Sequence, residues 1–189
     1  MFLEPKPGID EIVERCKAGQ RKAQEQLYKL LAGKMLGVCM RYATDRMEAE
    51  DMLQNGFIKV FTKIADYRGD GSFEGWIRRI MVHSSIEYYR KNHKMMQMVD
   101  FDGAGHEPSV NAAAAGNLEA NDLLLLIKGL SPGYRLVFNL YAIDGYSHKE
   151  IAEMAGITEG ASKSQLSRAR AILKQQILKS EGKKYENAG

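Results

Sequence analysis

A chain of 189 residues with 27 Lys and Arg against 24 Asp and Glu is long enough for one or two domains and carries little net charge. Its 44% apolar and 27% charged content is that of an ordinary globular protein, which sets aside disordered and fibrous classes. Cys16 and Cys39 lack partners at metal-ligand spacing and His83, His93, His106 and His148 are scattered, so free thiols and no metal or other cofactor are expected.

The longest apolar run, Leu123–Ile127, falls far short of the roughly 18–20 residues that a membrane span needs. Met1–Gly8 holds two prolines and no apolar secretion core. The expectation is a cytoplasmic protein without membrane insertion. Charge is distributed unevenly, and that is more telling than its total. Trp76–Lys94 carries Arg78, Arg79, Arg90, Lys91 and Lys94 against Glu87 alone. Met95–Ile127 carries acidic residues and no Lys or Arg, whereas Thr158–Lys184 is basic again. Two basic blocks separated by an acidic spacer suggest two nucleic-acid contacts on one molecule.

In chain order, Ile12, Val13, Cys16, Ala23, Leu27, Leu30 and Leu31 recur at helical spacing over Ile9–Ala32, with a break near Ala18-Gly19. Lys34–Tyr42 continues helically with Met35, Val38, Cys39 and Tyr42 inward. Asp45 can cap the next helix, with Glu48 three residues on. That helix has two faces. Leu53, Phe57, Val60, Phe61 and Ile64 form a core stripe, while Asp51, Gln54, Asn55 and Ile58 form a polar stripe ending in an apolar residue. Such a face suits docking against another protein's helix, although polar helix faces are as often merely solvated.

After the turn Arg68-Gly69-Asp70-Gly71, a second helix opens near Ser72 with Phe73, Ile77, Ile80, Met81, Ser84 and Tyr88 inward. Beside that stripe Trp76, Arg79, His83 and Arg90 line up at spacings of three, four and seven. Cations offer charge for phosphates and a ring offers a stacking platform for a base. The plainer account is a lone Trp lying along a domain surface among arginine stems.

Asn92–Leu118, with four glycines or prolines and a run of four alanines, reads as a linker. Leu123, Leu124, Ile127 and Leu130 then make a short apolar helix. Ser131 with Pro132 starts another, carrying Val137, Leu140 and Tyr141 inward and ending at Gly145. Ser147 with Glu150 opens Ser147–Ala155 as a capping box, Gly156 turns the chain, and Thr158 caps a last helix to about Ser180. This is helix-turn-helix spacing. Ser162, Leu166, Ala169 and Leu173 face inward, leaving Gly160, Lys163, Ser164, Ser167, Arg168 and Ala171 outward, a composition suited to major-groove entry. No strand alternation occurs anywhere. The expected fold is all-α: two small helical domains, residues 8–94 and 119–182, joined by a flexible acidic linker, 95–118.

Ala49-Glu50-Asp51-Met52-Leu53-Gln54-Asn55-Gly56-Phe57-Ile58-Lys59-Val60-Phe61, followed by Phe73-Glu74-Gly75-Trp76-Ile77-Arg78-Arg79-Ile80, resembles the second conserved region of bacterial sigma factors. The similarity is to the extracytoplasmic-function (ECF) branch of the sigma-70 family. Leu130-Ser131-Pro132 through Arg170, ending Lys163-Ser164-Gln165-Leu166-Ser167-Arg168-Ala169-Arg170, resembles the fourth region. Ser162 stands where a β-branched apolar residue is usual, which implies a weakened inner contact, and Gln165 where Arg is common. A housekeeping relative has an aromatic where Gly75 stands, so weak intrinsic melting is implied.

The resemblance implies a transcription initiation factor that is not itself an enzyme. Asp51, Gln54, Asn55, Phe57 and Ile58 would dock on the β′ coiled coil of core RNA polymerase, with a further contact to the β flap. Trp76, Arg78, Arg79, His83 and Arg90 would meet the −10 element of promoter DNA. Gly160, Lys163, Ser164, Ser167 and Arg168 would read the −35 element, with Arg170 and Lys174 nearer phosphates. An anti-sigma factor is an implied further partner. The main alternative is a LuxR-type helix-turn-helix regulator without polymerase docking, which has no need of Glu48–Lys91. An adaptor that binds polymerase but reads DNA poorly is another. An enzyme finds no support in the motifs: there is no Gly-rich phosphate loop and no nucleophile–base pair at recognisable spacing.

Overall fold

The computed structural model describes residues 8–99 and 120–186, with side chains over 8–92 and 123–179. All regular structure among the described residues is helical: α1 (Ile9–Lys17), α2 (Arg21–Met40), α3 (Arg46–Lys63), α4 (Phe73–Val99), α5 (Ala120–Lys128), α6 (Pro132–Phe138), α7 (His148–Ala155) and α8 (Glu159–Glu186). They fall into two compact units, one of Met1–Met40 with Asp45–Ser85, the other of Arg41–Thr44 with Ile86–Gly189.

In the first unit, α1 stops at Ala18 and Gly19 takes φ +74°, so the chain reverses where the sequence predicts a break. α2 packs against both α1 and α3. Its inner stripe of Ala23, Leu27, Leu31, Met35 and Cys39 is buried throughout. The Asp45 carboxylate accepts from the Glu48 N–H at 2.9 Å and so caps α3, relieving one of the unpaired donors of its first turn. Met52, Leu53, Gly56, Phe57 and Val60 make the buried side of α3. Gly56 is where α3 and α4 meet closely: a Cβ there would lie 2.2 Å from the Met81 sulfur. Both cysteines are buried free thiols, and burial pushes the Cys16 thiol up against the small opposing effect of Arg15.

α4 is longer than its sequence suggests. Residues 95–99 continue the helix, because Lys91–Val99 contains no Gly or Pro to stop it. The rest of the expected linker, with its alanine run, lies outside the described residues.

In the second unit, Ile127, Leu130, Ala169 and Leu173 form a core covered by Leu126, Tyr134, Phe138 and Ile172. Of the apolar residues expected to make the short helix, Ile127 and Leu130 are buried, whereas Leu123 and Leu124 are exposed. Pro132 occupies the first turn of α6 as expected, but the Ser131 side chain makes no capping bond. α6 runs into a π-helical turn, Asn139–Ile143, in which the Asp144 N–H reaches the Asn139 carbonyl at 3.0 Å. The wider turn shifts the helical register of these residues. Leu140 stays buried, whereas Tyr141, predicted inward, emerges at the surface.

Sequence patterning carries no sign of the buried polar residues. Arg135 donates to the Lys128 carbonyl at 3.0 Å, and Asn139 to the carbonyls of Arg135 (3.0 Å) and Arg41 (2.8 Å). Asp144 accepts from Arg41 at 3.3 Å and from the Tyr42 hydroxyl. Burial, then the adjacent Asp144 carboxylate, drive the Tyr42 phenol far above its ordinary pKa.

Candidate functional site

Three exposed faces carry the candidate residues. The first is on α3. Because the core stripe turns one side of that helix inward, Asp51, Gln54, Asn55 and Ile58 are left on the other, and all four are exposed. Ile58 is 64% exposed, a large apolar side chain with little of its own protein around it. Met47, four residues before Asp51 and 71% exposed, extends the stripe by a turn; its spacing was the available signal. Phe57 does not belong to this face. It is 3% exposed, with its ring 4.7 Å from Tyr28 and 5.8 Å from Phe61. A side chain closed in by two aromatic neighbours holds the helix in place and has no surface to offer a partner.

The second face is the start of α4. Ser72 accepts from the Gly75 N–H at 3.0 Å and so caps the helix. The loop before it bends through Gly69 and Gly71, at φ +83° and +93°. Trp76 is not alone. Its ring stacks on Phe73 at 5.7 Å and 19° and meets Tyr67 at 5.5 Å, while the Tyr67 hydroxyl donates to the Gly71 carbonyl at 2.8 Å. Lys17 stands 5.8 Å over the Tyr67 ring. The half-buried Trp76 is thus held by two aromatic neighbours beside a pinned loop, with Arg78, Arg79 and His83 exposed along the same helix. Arg90, seven residues beyond His83 on α4, is exposed too. It falls in the second unit and donates to the Met154 carbonyl at 3.5 Å.

The third face is the N-terminal half of α8. Thr158 accepts from the Ala161 N–H at 3.1 Å and caps it. Gly156, at φ +71°, closes α7 and makes the tight turn between the two helices. Ser147 and Glu150 form the reciprocal capping box at the other end of α7, and those hydrogen bonds hold the Glu150 carboxyl below its usual range. Gly160, Lys163, Ser164, Ser167, Arg168, Arg170 and Lys174 are all exposed. Two of the cations are braced from α6 and its π turn: Arg168 reaches the Tyr134 hydroxyl at 3.4 Å, and Arg170 lies 5.6 Å over the Tyr141 ring. Lys163 pairs with Glu159 at 2.7 Å, and that bond holds Glu159 below the ordinary carboxylate range. Inward, Ser162, Leu166, Ala169 and Leu173 are buried as predicted. The inner contact at Ser162 is polar and made: its hydroxyl lies 2.9 Å from His148 Nδ1.

No group of His, Cys, Asp or Glu side chains among the described residues is arranged to hold a metal ion. No helix among them is long and apolar enough to cross a membrane.

Residues 27–95 match the family model for sigma-70 region 2, and residues 120–173 that for sigma-70, region 4. The chain belongs to the sigma-70 family, in its ECF branch. The α3 and α4 faces lie inside the first match and the exposed half of α8 inside the second. Among curated sigma factors, the chain is 25% identical over 174 residues to the RNA polymerase sigma-H factor of Pseudomonas aeruginosa, covering 86% of this chain and 90% of that one. It is 25% identical over 177 residues to the ECF RNA polymerase sigma-E factor of Escherichia coli K12, covering 88% and 92%. Among solved structures it is similar to the sigma factor RpoE in complex with the anti-sigma factor NepR from Bartonella quintana. That match has 22% identity and a TM-score of 0.49 and covers 81% of this chain and 95% of that one.

Proposed function

We propose that this sigma factor joins core RNA polymerase through the exposed stripe of α3 and directs transcription initiation at promoters read in two places. Asp51, Gln54, Asn55 and Ile58 dock on the β′ coiled coil, and a second contact goes to the β flap. Trp76, with Arg78, Arg79 and His83, meets the −10 element. An unstacked base captured on an aromatic ring regains part of the few kcal/mol that unstacking costs. Gly160, Lys163, Ser164, Ser167 and Arg168 face the major groove of the −35 element, with Arg170 and Lys174 toward phosphates. Residues 8–94 and 119–182 act as two modules, and the chain between them (95–118) makes the second DNA contact intramolecular once the first has formed. The polymerase, not this protein, forms the phosphodiester bonds. The protein works in the cytoplasm, and an anti-sigma factor that covers these faces is the regulatory partner.

The observation that carries this reading is the α3 stripe: an apolar Ile58 exposed among polar residues within the region-2 match. A free-standing helix-turn-helix regulator has no use for it. Asp51→Ala and Gln54→Ala are expected to weaken core polymerase binding in equilibrium titrations without lowering the melting temperature. Unchanged affinity in both variants overturns the docking assignment.

A further inference from the structure

The helix-turn-helix contains a polar joint at a position where apolar packing is the ordinary solution. Ser162, on the inner side of α8, is completely buried. Its hydroxyl meets Nδ1 of His148, the first residue of α7, at 2.9 Å. The other side of that imidazole matters too. The His148 ring stacks on Tyr141 at 4.5 Å and 22°, and Arg170 lies 5.6 Å over the same Tyr141 ring. A layer therefore runs from Arg170 through Tyr141 and His148 to Ser162. It links the π turn, α7 and two points on α8 that are separated by about two turns of helix.

An apolar contact at Ser162 would hold the helices together without fixing their rotation, because burial of apolar surface is not directional. A hydrogen bond is directional and weakens steeply as its angle degrades. Ser162 and Lys163 are neighbours in sequence, so a rotation of α8 that breaks the Ser162 bond also swings Lys163, Ser164 and Ser167 away from a fixed groove. The π turn has a part in this. By rotating Tyr141 out of the core, it supplies the ring that clamps His148 on one side and Arg170 on the other.

We propose that His148 is a positioning residue for upstream-element recognition. Through Ser162 and Tyr141 it sets the rotation of α8, and so decides how sharply the exposed residues discriminate between DNA sequences. The proposal rests on the reading of α8 as the −35 reader.

The test uses holoenzyme reconstituted from the full chain and core polymerase, presented with promoter duplexes carrying a randomised upstream hexamer. The readout is the enrichment ratio of the best hexamer over the median one. His148→Phe keeps a ring against Tyr141 but loses the hydrogen bond, and is expected to lower that ratio by about fivefold, the worth of one ordinary hydrogen bond. His148→Asn, whose amide reaches the place of Nδ1, is expected to stay within about twofold of the unchanged protein by the same measure. Ser162→Ala approaches the bond from the other side. It should give the same loss, and the double change with His148→Phe no more than either single one. Core polymerase affinity and the salt dependence of total DNA binding should not move in any of them. Selectivity equal to that of the unchanged protein in both His148→Phe and Ser162→Ala overturns the proposal. An unchanged protein that enriches no hexamer overturns the reading of α8 as a −35 reader, and the proposal with it.

Discussion

Adjacent residues on α3 should respond in opposite ways to the same truncation. Phe57 is 3% exposed and packed against two rings, so Phe57→Ala removes a core aromatic. Such changes cost about 3–5 kcal/mol, a fifth or more of the roughly 5–15 kcal/mol that holds a domain together. For a unit of this size the melting temperature should fall by on the order of 15–30 °C. Ile58 is 64% exposed, so Ile58→Ala removes little that the free protein uses. Its effect on stability should stay within about 0.5 kcal/mol. In the polymerase complex the three carbons lost would be newly buried. At about 0.8 kcal/mol per buried methylene, with about two-thirds of the side chain available, the loss is about 1.5 kcal/mol. That is roughly a tenfold rise in Kd for core polymerase. Circular-dichroism melts and a fluorescence titration with core polymerase read the two quantities separately. An Ile58→Ala protein that binds core polymerase as tightly as the unchanged one would refute the assignment of this face.

Three more outcomes rest on the geometry. Gly56→Ala places a Cβ 2.2 Å from the Met81 sulfur in a filled core, so Met81 must change rotamer; denaturant unfolding should lose about 1–3 kcal/mol. Arg168→Ala should weaken binding to promoter DNA by about 1–3 kcal/mol in filter or gel-shift titrations while leaving core polymerase affinity unchanged. The Ser147 bonds depress the folded-state pKa of Glu150, so the stability they provide is present above the unfolded carboxylate pKa and is lost as pH falls through the folded value. Melts of the unchanged protein and of Glu150→Gln, compared at neutral pH and across the acid carboxylate range, should therefore differ most at neutral pH and converge on acidification.

Much of the fold was legible because its punctuation is local. Gly19, Asp45, Ser72, Pro132, the Ser147–Glu150 box and Gly156 each act through bonds or dihedrals within a few residues. The alternation of buried and exposed positions on α8 followed from periodicity alone. What escaped the sequence depends on longer reach or on irregularity. The π turn at Asn139–Ile143 leaves no mark in a pattern of period 3.6, so helical spacing points Tyr141 into the core when it lies at the surface. Trp76 read as a solitary ring because Tyr67 sits in a loop, outside any helical register. Phe57 lay at the border of two stripes, and only the rings of Tyr28 and Phe61 decide which one it joins. Ser162 looked like a weak point in the core because its partner, His148, is 14 residues away across the turn. α4 ran past Lys94 because a low net charge and a lack of periodicity do not stop a helix; Gly or Pro would have.

On the proposed function, α3 brings this chain to polymerase, and α4 and α8 bring polymerase to a promoter. Run-off transcription on genomic fragments tests it most directly, with purified core polymerase alone and with the added protein. New transcripts with defined start sites, present with the protein and absent without it, are the expected result. A folded protein that neither associates with core polymerase nor changes its transcripts would contradict it.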